Sequence, residues 1–224
     1  TLFPYTTLFR SARVRLFMGD EQGALSDAQA VDEGFVMNVY PSDATNRLWN
    51  RVWDANLYSF DFGVPEWSRN LTTGGVIDPR TATHDTGYNS GWSPGNVWVQ
   101  EKYSSVGTPI PIARWEEAQL IIAEIEGGQV AVDIINALRA PWNLPEFSST
   151  DESEIQDMVI AERRRELWFE GHRAYDIHRL NLPLYPPAGT PYQPNLKGGT
   201  YGDQTCIPMP VVESFNNETI RGGG

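Results

Sequence analysis

The chain changes its hydrophobic rhythm as it runs. Up to about Asn38 the pattern is mixed: Arg13–Met18 (RVRLFM) alternates as a short strand would, and Leu25–Val36 reads as loop or weak helix. Between Asp43 and Phe62, Leu48, Trp49, Val52, Trp53 and Leu57 fall near helical spacing, which predicts a short helix or an irregular core segment. Over residues 63–107 periodicity gives way to breakers: Gly74-Gly75, Asp78-Pro79, Asn89-Ser90-Gly91 and Ser93-Pro94-Gly95. So long a loop-rich stretch is functional or disordered, and Trp67, Tyr88, Trp92 and Trp98 argue for order.

Helical periodicity returns over 112–180. Ile112, Trp115, Ala118, Ile122 and Ile125 give a wide apolar face that Leu120 and Ile121 broaden, so this helix should be nearly buried. Gly127-Gly128 ends it, because glycine accepts a left-handed cap cheaply. A second helix over about Val130–Arg139 must stop near Ala140, since Pro141 disfavours helical geometry before it. The pair forms an αα-hairpin about the length of a tetratricopeptide repeat. A third helix starts at a capping box, Ser149 to Glu152, with acids in its first turn. It runs through Ile155, Met158 and Val159 into the stretch Ile160–Arg179. There Glu162, Arg165, Glu166, Phe169, Glu170 and Arg173 share one helix face. A face mixing charges with Phe169 reads as a partly buried ion-pair lattice, with Arg163, Arg164, Arg165 and Arg173 as neighbours able to neutralise the acids. Gly171 marks a break before a short helix over His172–Leu180. The segment 181–224 is Pro/Gly-rich, and Pro208 and Pro210 demand an extended tail.

Composition narrows the partners. A chain of 224 residues, 40% apolar and 12% aromatic, can bury a core. The net charge of −12 argues against nucleic acid. The single cysteine, Cys206, excludes an internal disulfide and thiolate metal clusters. No apolar run is long enough to span a membrane as a helix. His84, His172 and His178 lack metal-ligand spacing. No serine elbow or phosphate cradle is present, and no cofactor is expected. Asp78-Pro79-Arg80 is suited to a turn, with Arg80 pairing internally. Glu162, Glu166 and Glu170 are the carboxylates a glycoside hydrolase would need, but such pairs face each other across a cleft.

Eight tryptophans and nine tyrosines leave a binding role open. Trp67, Tyr88, Asn89, Trp92 and Asn96 lie in loops where flat rings and amide groups suit a sugar. Trp49, Trp53, Trp115 and Trp168 sit in helical patterns and are expected in the core.

The stretch ERRREL-W-FEGHR-x-x-D-I-x-R within Ile160–Arg179 closely resembles the C-terminal signature of the SusD/RagB family. Three further segments match in order: Ala113–Gly128 with Arg114 and Glu117, Ala131–Ala140, and Cys206–Glu213 followed by Asn216-Asn217. Glu218 replaces a usual proline and Ile125 a usual alanine. Arg114, Glu117, Glu162, Arg165, Glu166, Glu170, Arg173 and Asp176 match the family's structural signature. The resemblance implies a mainly α fold of tetratricopeptide-like helix pairs with a loop-rich ligand region. It implies a non-enzymatic lipoprotein at the outer-membrane surface that captures a nutrient, such as an oligosaccharide, for a SusC-like TonB-dependent transporter. The alternatives are a protein-interaction module and a glycoside hydrolase. Residues 1–11, TLFPYTTLFRS, resemble a translated sequencing adapter, so the expected native part is 12–224, an N-terminally truncated piece of one SusD/RagB-like domain.

Overall fold

The computed structural model describes residues 3–89, 95–192 and 198–205. Trp92 and the Cys206–Glu213 motif, with Pro208 and Pro210, lie outside them. The chain falls into two compact units, Thr1–Arg173 and Ala174–Gly224.

In the first unit, α1 (Phe3–Met18) and α2 (Glu21–Gln29) pack on each other. The strand expected at Arg13–Met18 is therefore helix. Ala12 and Leu16, four apart, face the interior with Ala24 and Ala28 of α2, so burial overrides the local alternation. Gly19 turns the chain at φ 78, and the Asp20 carboxylate accepts from the Gly23 N–H at 3.0 Å to cap α2.

Strand β1 (Val36–Val39) leads into the short turn α3 (Arg51–Trp53), which widens into one π-turn over Asp54–Tyr58. The loop-rich stretch is tied by small ribbons. Strand β2 (Thr72–Thr73) pairs with β3 (Val76–Ile77), and β4 (Thr83–Asp85) with β5 (Trp98–Gln100). Gly74 and Gly75, both at positive φ, make the two-residue turn of the first ribbon.

Strand β6 (Ile110–Arg114) pairs antiparallel with β1, with Val36 opposite Arg114 and a register shift between Met37 and Asn38. The expected helix start at Ile112 is thus corrected: pairing with β1 holds Ile112 extended, and α4 (Trp115–Glu126) begins only after Arg114. Helix α4 serves three apolar clusters. Ile121 and Ile122 pack towards α1 and α2, Ala123 towards Ile135 and Val159, and Leu120 towards Leu138 and Leu167. That explains its apolar circumference.

Helix α5 (Gly128–Arg139) follows directly, and Pro141 closes it through a 3-10 turn. Helix α6 (Glu152–Glu166) is capped by Asp151, whose carboxylate accepts from the Glu154 N–H at 3.1 Å. The expected cap, Ser149, instead donates to the Glu154 carboxylate at 2.6 Å. Glu152 reaches back to accept from the Gly128 N–H at 3.0 Å and so caps α5.

Helix α7 (Arg173–Arg179) leads into the second unit. There Asp176 pairs with Arg179 at 3.3 Å, Pro191 bridges Thr200, and Tyr192 meets Tyr201 edge-on at 4.9 Å.

Candidate functional site

The carboxylates of the signature stretch are held, but not by the arginines beside them. Glu162 is fully buried and accepts from Arg139 Nε at 2.9 Å. Arg80 Nη1 lies 2.6 Å from its other oxygen, a charge contact off the hydrogen-bond axis. Glu166 accepts from Arg80 Nη1 at 2.6 Å and Arg114 Nη1 at 2.5 Å. Glu170 accepts from Arg114 Nε at 3.1 Å and Lys102 Nζ at 2.5 Å. Asp78 completes the chain with two bonds from the Arg80 guanidinium, at 3.0 and 2.7 Å, one from the Arg80 backbone N–H at 3.0 Å and one from Thr73 at 2.8 Å. Four acids thus interleave with four bases drawn from the loop stretch, β6 and α5.

The expected continuous face is corrected with its partners. Helix α6 ends at Glu166, and Phe169 (φ 59) and Gly171 (φ 83) turn the chain, so Phe169, Glu170 and Arg173 lie beyond it. Arg165 donates to the carbonyls of Ala161 at 2.8 Å and Thr72 at 2.7 Å. Local spacing pointed to neighbours, whereas the fold delivers cations from far along the chain.

Burial alone would raise the Glu166 pKa, but Arg114 and Arg80 together hold it below the ordinary value. Burial likewise opposes ionisation of Asp78, and Arg80 overcomes it. Burial lowers the Lys102 pKa despite Glu170. Carboxylates held ionised between guanidinium groups are poor general acids, and Glu166, the best sequence candidate for glycoside hydrolysis, is doubly paired. A cleft of about 430 Å³ opens on Arg80, Lys102, Arg114, Glu166 and Glu170, with Trp142 in its lining.

A second clamp ties α1 to α4. Arg13 donates to both oxygens of Glu117, at 2.8 and 2.6 Å, and His172 Nδ1 stands 3.4 Å from Glu117. Burial lowers the His172 pKa, opposed by Glu117.

The aromatic candidates lie in the loop stretch. Trp67 is 36% exposed, with the Arg164 guanidinium 5.5 Å from its ring centroid. Tyr88 is 52% exposed and stacks on Phe60 at 5.3 Å. Asn89 is exposed beside it. Asn96 donates to Asp85 at 3.1 Å. Trp115 and Trp168 do pack inwards, Trp168 being buried.

Trp49 and Trp53, expected in the core, are only half-buried. They form a ring cluster with Tyr58. Trp53 and Tyr58 stack at 5.6 Å and 21°, and Trp49 meets both edge-on at 6.0 and 5.6 Å. The π-turn is the cause: it brings residues five apart into register, and Tyr58 is five after Trp53. Helical spacing alone, which pairs residues three and four apart, misses this contact.

A mainly helical chain with consecutive helix pairs and a ribbon-tied loop region is the class this architecture defines. The chain belongs to the SusD family: the family's model matches residues 72–209. Among curated proteins, SusD-like protein P2 of Formosa agariphila is 32% identical over 124 residues, covering 48% of this chain and 24% of the relative. A SusD-like carbohydrate binding protein from Bacteroides vulgatus has a similar fold, with TM-score 0.59 and 14% identity over 97% of this chain and 59% of that one. A SusD superfamily protein from Parabacteroides distasonis also has TM-score 0.59, with 15% identity, covering 96% and 61%. The chain thus spans under two thirds of the length of these relatives.

Proposed function

We propose that this chain captures a nutrient oligosaccharide at the cell surface and delivers it to a SusC-like TonB-dependent outer-membrane transporter. The observation that carries the reading is the Trp49–Trp53–Tyr58 cluster, half-buried in a SusD-family fold, with Tyr58 61% exposed. Stacked rings held by their neighbours offer a rigid apolar face to a pyranose at little entropic cost. Trp67, Tyr88, Asn89, Trp92 and Asn96 are proposed as further contacts, the amides serving hydroxyl groups. The Bacteroides vulgatus protein of similar fold is a carbohydrate binding protein, which supports the ligand class. Membrane attachment is proposed to be by a lipid anchor of the intact protein, on the outer face.

The test is calorimetry against a panel of neutral and charged oligosaccharides, with Trp53→Ala and Tyr58→Ala. Loss of roughly tenfold in affinity from each, with the fold intact, is expected for an aromatic contact residue. Unchanged affinity in both variants would move the site elsewhere. Co-purification of a TonB-dependent transporter with the tagged intact protein tests the delivery step, and its absence from the detergent-solubilised complex counts against it.

A protein-interaction role has one observation in its favour, the exposed stripe Val14, Phe17 and Met18 on α1. It accounts for none of the ring clustering.

A further inference from the structure

We infer that Arg164, resting on Trp67 with the charge of Arg165 next to it in the chain, forms a subsite for an acidic sugar, one bearing a carboxylate or a sulfate ester. The inference rests on the oligosaccharide reading above and names the ligand class.

The partners of these two arginines differ from those of the lattice and clamp arginines. Arg13, Arg80, Arg114 and Arg139 each meet a carboxylate within 3 Å. Arg164 instead donates to the Trp67 carbonyl at 2.7 Å and rests over the Trp67 ring. Arg165 donates to two carbonyls, and its Nε is buried with no hydrogen-bond partner. Glu162 and Asp78 act on Arg165 at longer range but are engaged by Arg80 and Arg139. Neither Arg164 nor Arg165 makes an ion pair among the described residues.

The result is a local cationic spot on a chain of net charge −12. Burial, then the like charges of Arg173 and Arg165, hold the Arg164 pKa below its ordinary value. An arriving anion relieves that repulsion. Arg164 is only partly buried and so remains reachable, while Arg165 adds its charge from a position where its Nε is buried. A guanidinium is a planar fork that matches carboxylate or sulfate oxygens in pairs. Trp67 supplies a partly exposed ring alongside, suited to the apolar face of the same sugar. One or two anionic groups satisfy a spot this small.

The experiment is calorimetry on the full chain with three tetrasaccharides: an oligogalacturonate, a sulfated galactan fragment and neutral cellotetraose. The expected result is that an acidic ligand binds about tenfold tighter than the neutral one, the effect of one charged hydrogen bond. That preference should shrink as sodium chloride is raised. Arg164→Gln should abolish it, while Arg51→Gln, the same charge change at the exposed Arg51–Asp54 pair, should not. Thermal melts check that both variants fold. Inorganic sulfate competing against the acidic ligand on the unaltered protein gives a readout that needs no variant. The carboxylate and sulfate arms tell which anion the spot takes. Equal, salt-insensitive binding of neutral and acidic sugars would overturn the inference and leave oligosaccharide capture standing. Binding of none of a wide glycan panel would overturn both.

Discussion

Arg80 and Glu166, 86 positions apart, meet at 2.6 Å in the buried interior. This contact fastens the loop-rich stretch to α6. Removing one partner leaves the other with one counter-charge fewer in a poorly solvated site. Arg80→Ala and Glu166→Ala should each destabilise the fold by about 3–5 kcal/mol, read from urea denaturation midpoints. Because both also touch other members of the lattice, the double variant should lose clearly less than the two single losses added together. Additive losses would mean that the residues act independently.

Acid should weaken the fold in two stages. Burial lowers the His172 pKa, so the unfolded chain takes up a proton below about pH 6.5 that the folded chain resists, and stability falls with pH from there. Asp78 and Glu166 have lowered folded pKa values because their arginines outweigh burial. Their contribution is present above the ordinary values of 3.8 and 4.5 and is lost as pH falls through the folded values. Each group contributes a slope of at most about 1.4 kcal/mol per pH unit. Melting temperatures across pH 8 to 3 should show both declines, and His172→Gln should remove only the first.

Helices α4, α5 and α6 were legible because their determinants are local. Ala118, Ile121, Ile122 and Ile125 recur at helical spacing in α4, and Gly127 and Pro141 punctuate the chain. The lattice was legible as a lattice but not in its wiring. Spacing along α6 exposes only neighbours such as Arg163 and Arg165, while Arg80, Arg114, Arg139 and Lys102 arrive through tertiary folding. The same limit hid β6, whose pairing with β1 joins segments about seventy residues apart. It also hid the ring cluster, since no sequence period announces a single π-turn.

The α4–α5 turn makes a sharper demand than its length suggests. Gly127 has φ 63, and a Cβ there would stand 2.2 Å from Glu152 Oε1. Gly127→Ala therefore combines backbone strain with displacement of the side chain that caps α5. A loss of about 1–3 kcal/mol is expected. Glu152→Ala removes only the cap and should cost about 1 kcal/mol. Equal losses, measured by chemical denaturation, would place the whole effect in the cap and none in the backbone.

Helix α1 is apolar on two sides. Ala12 and Leu16 are buried, yet Val14, Phe17 and Met18 are exposed on another face, Met18 by 77%. Exposed apolar stripes of this kind drive association. The chain alone should therefore self-associate reversibly as concentration rises. Phe17→Lys with Met18→Glu should shift sedimentation velocity profiles towards monomer without lowering the melting temperature, because neither side chain is in the core. If the unaltered chain stays monomeric up to about 100 µM, well above the range of a standard-affinity interface, the stripe is ordinary surface and the interaction reading loses its support.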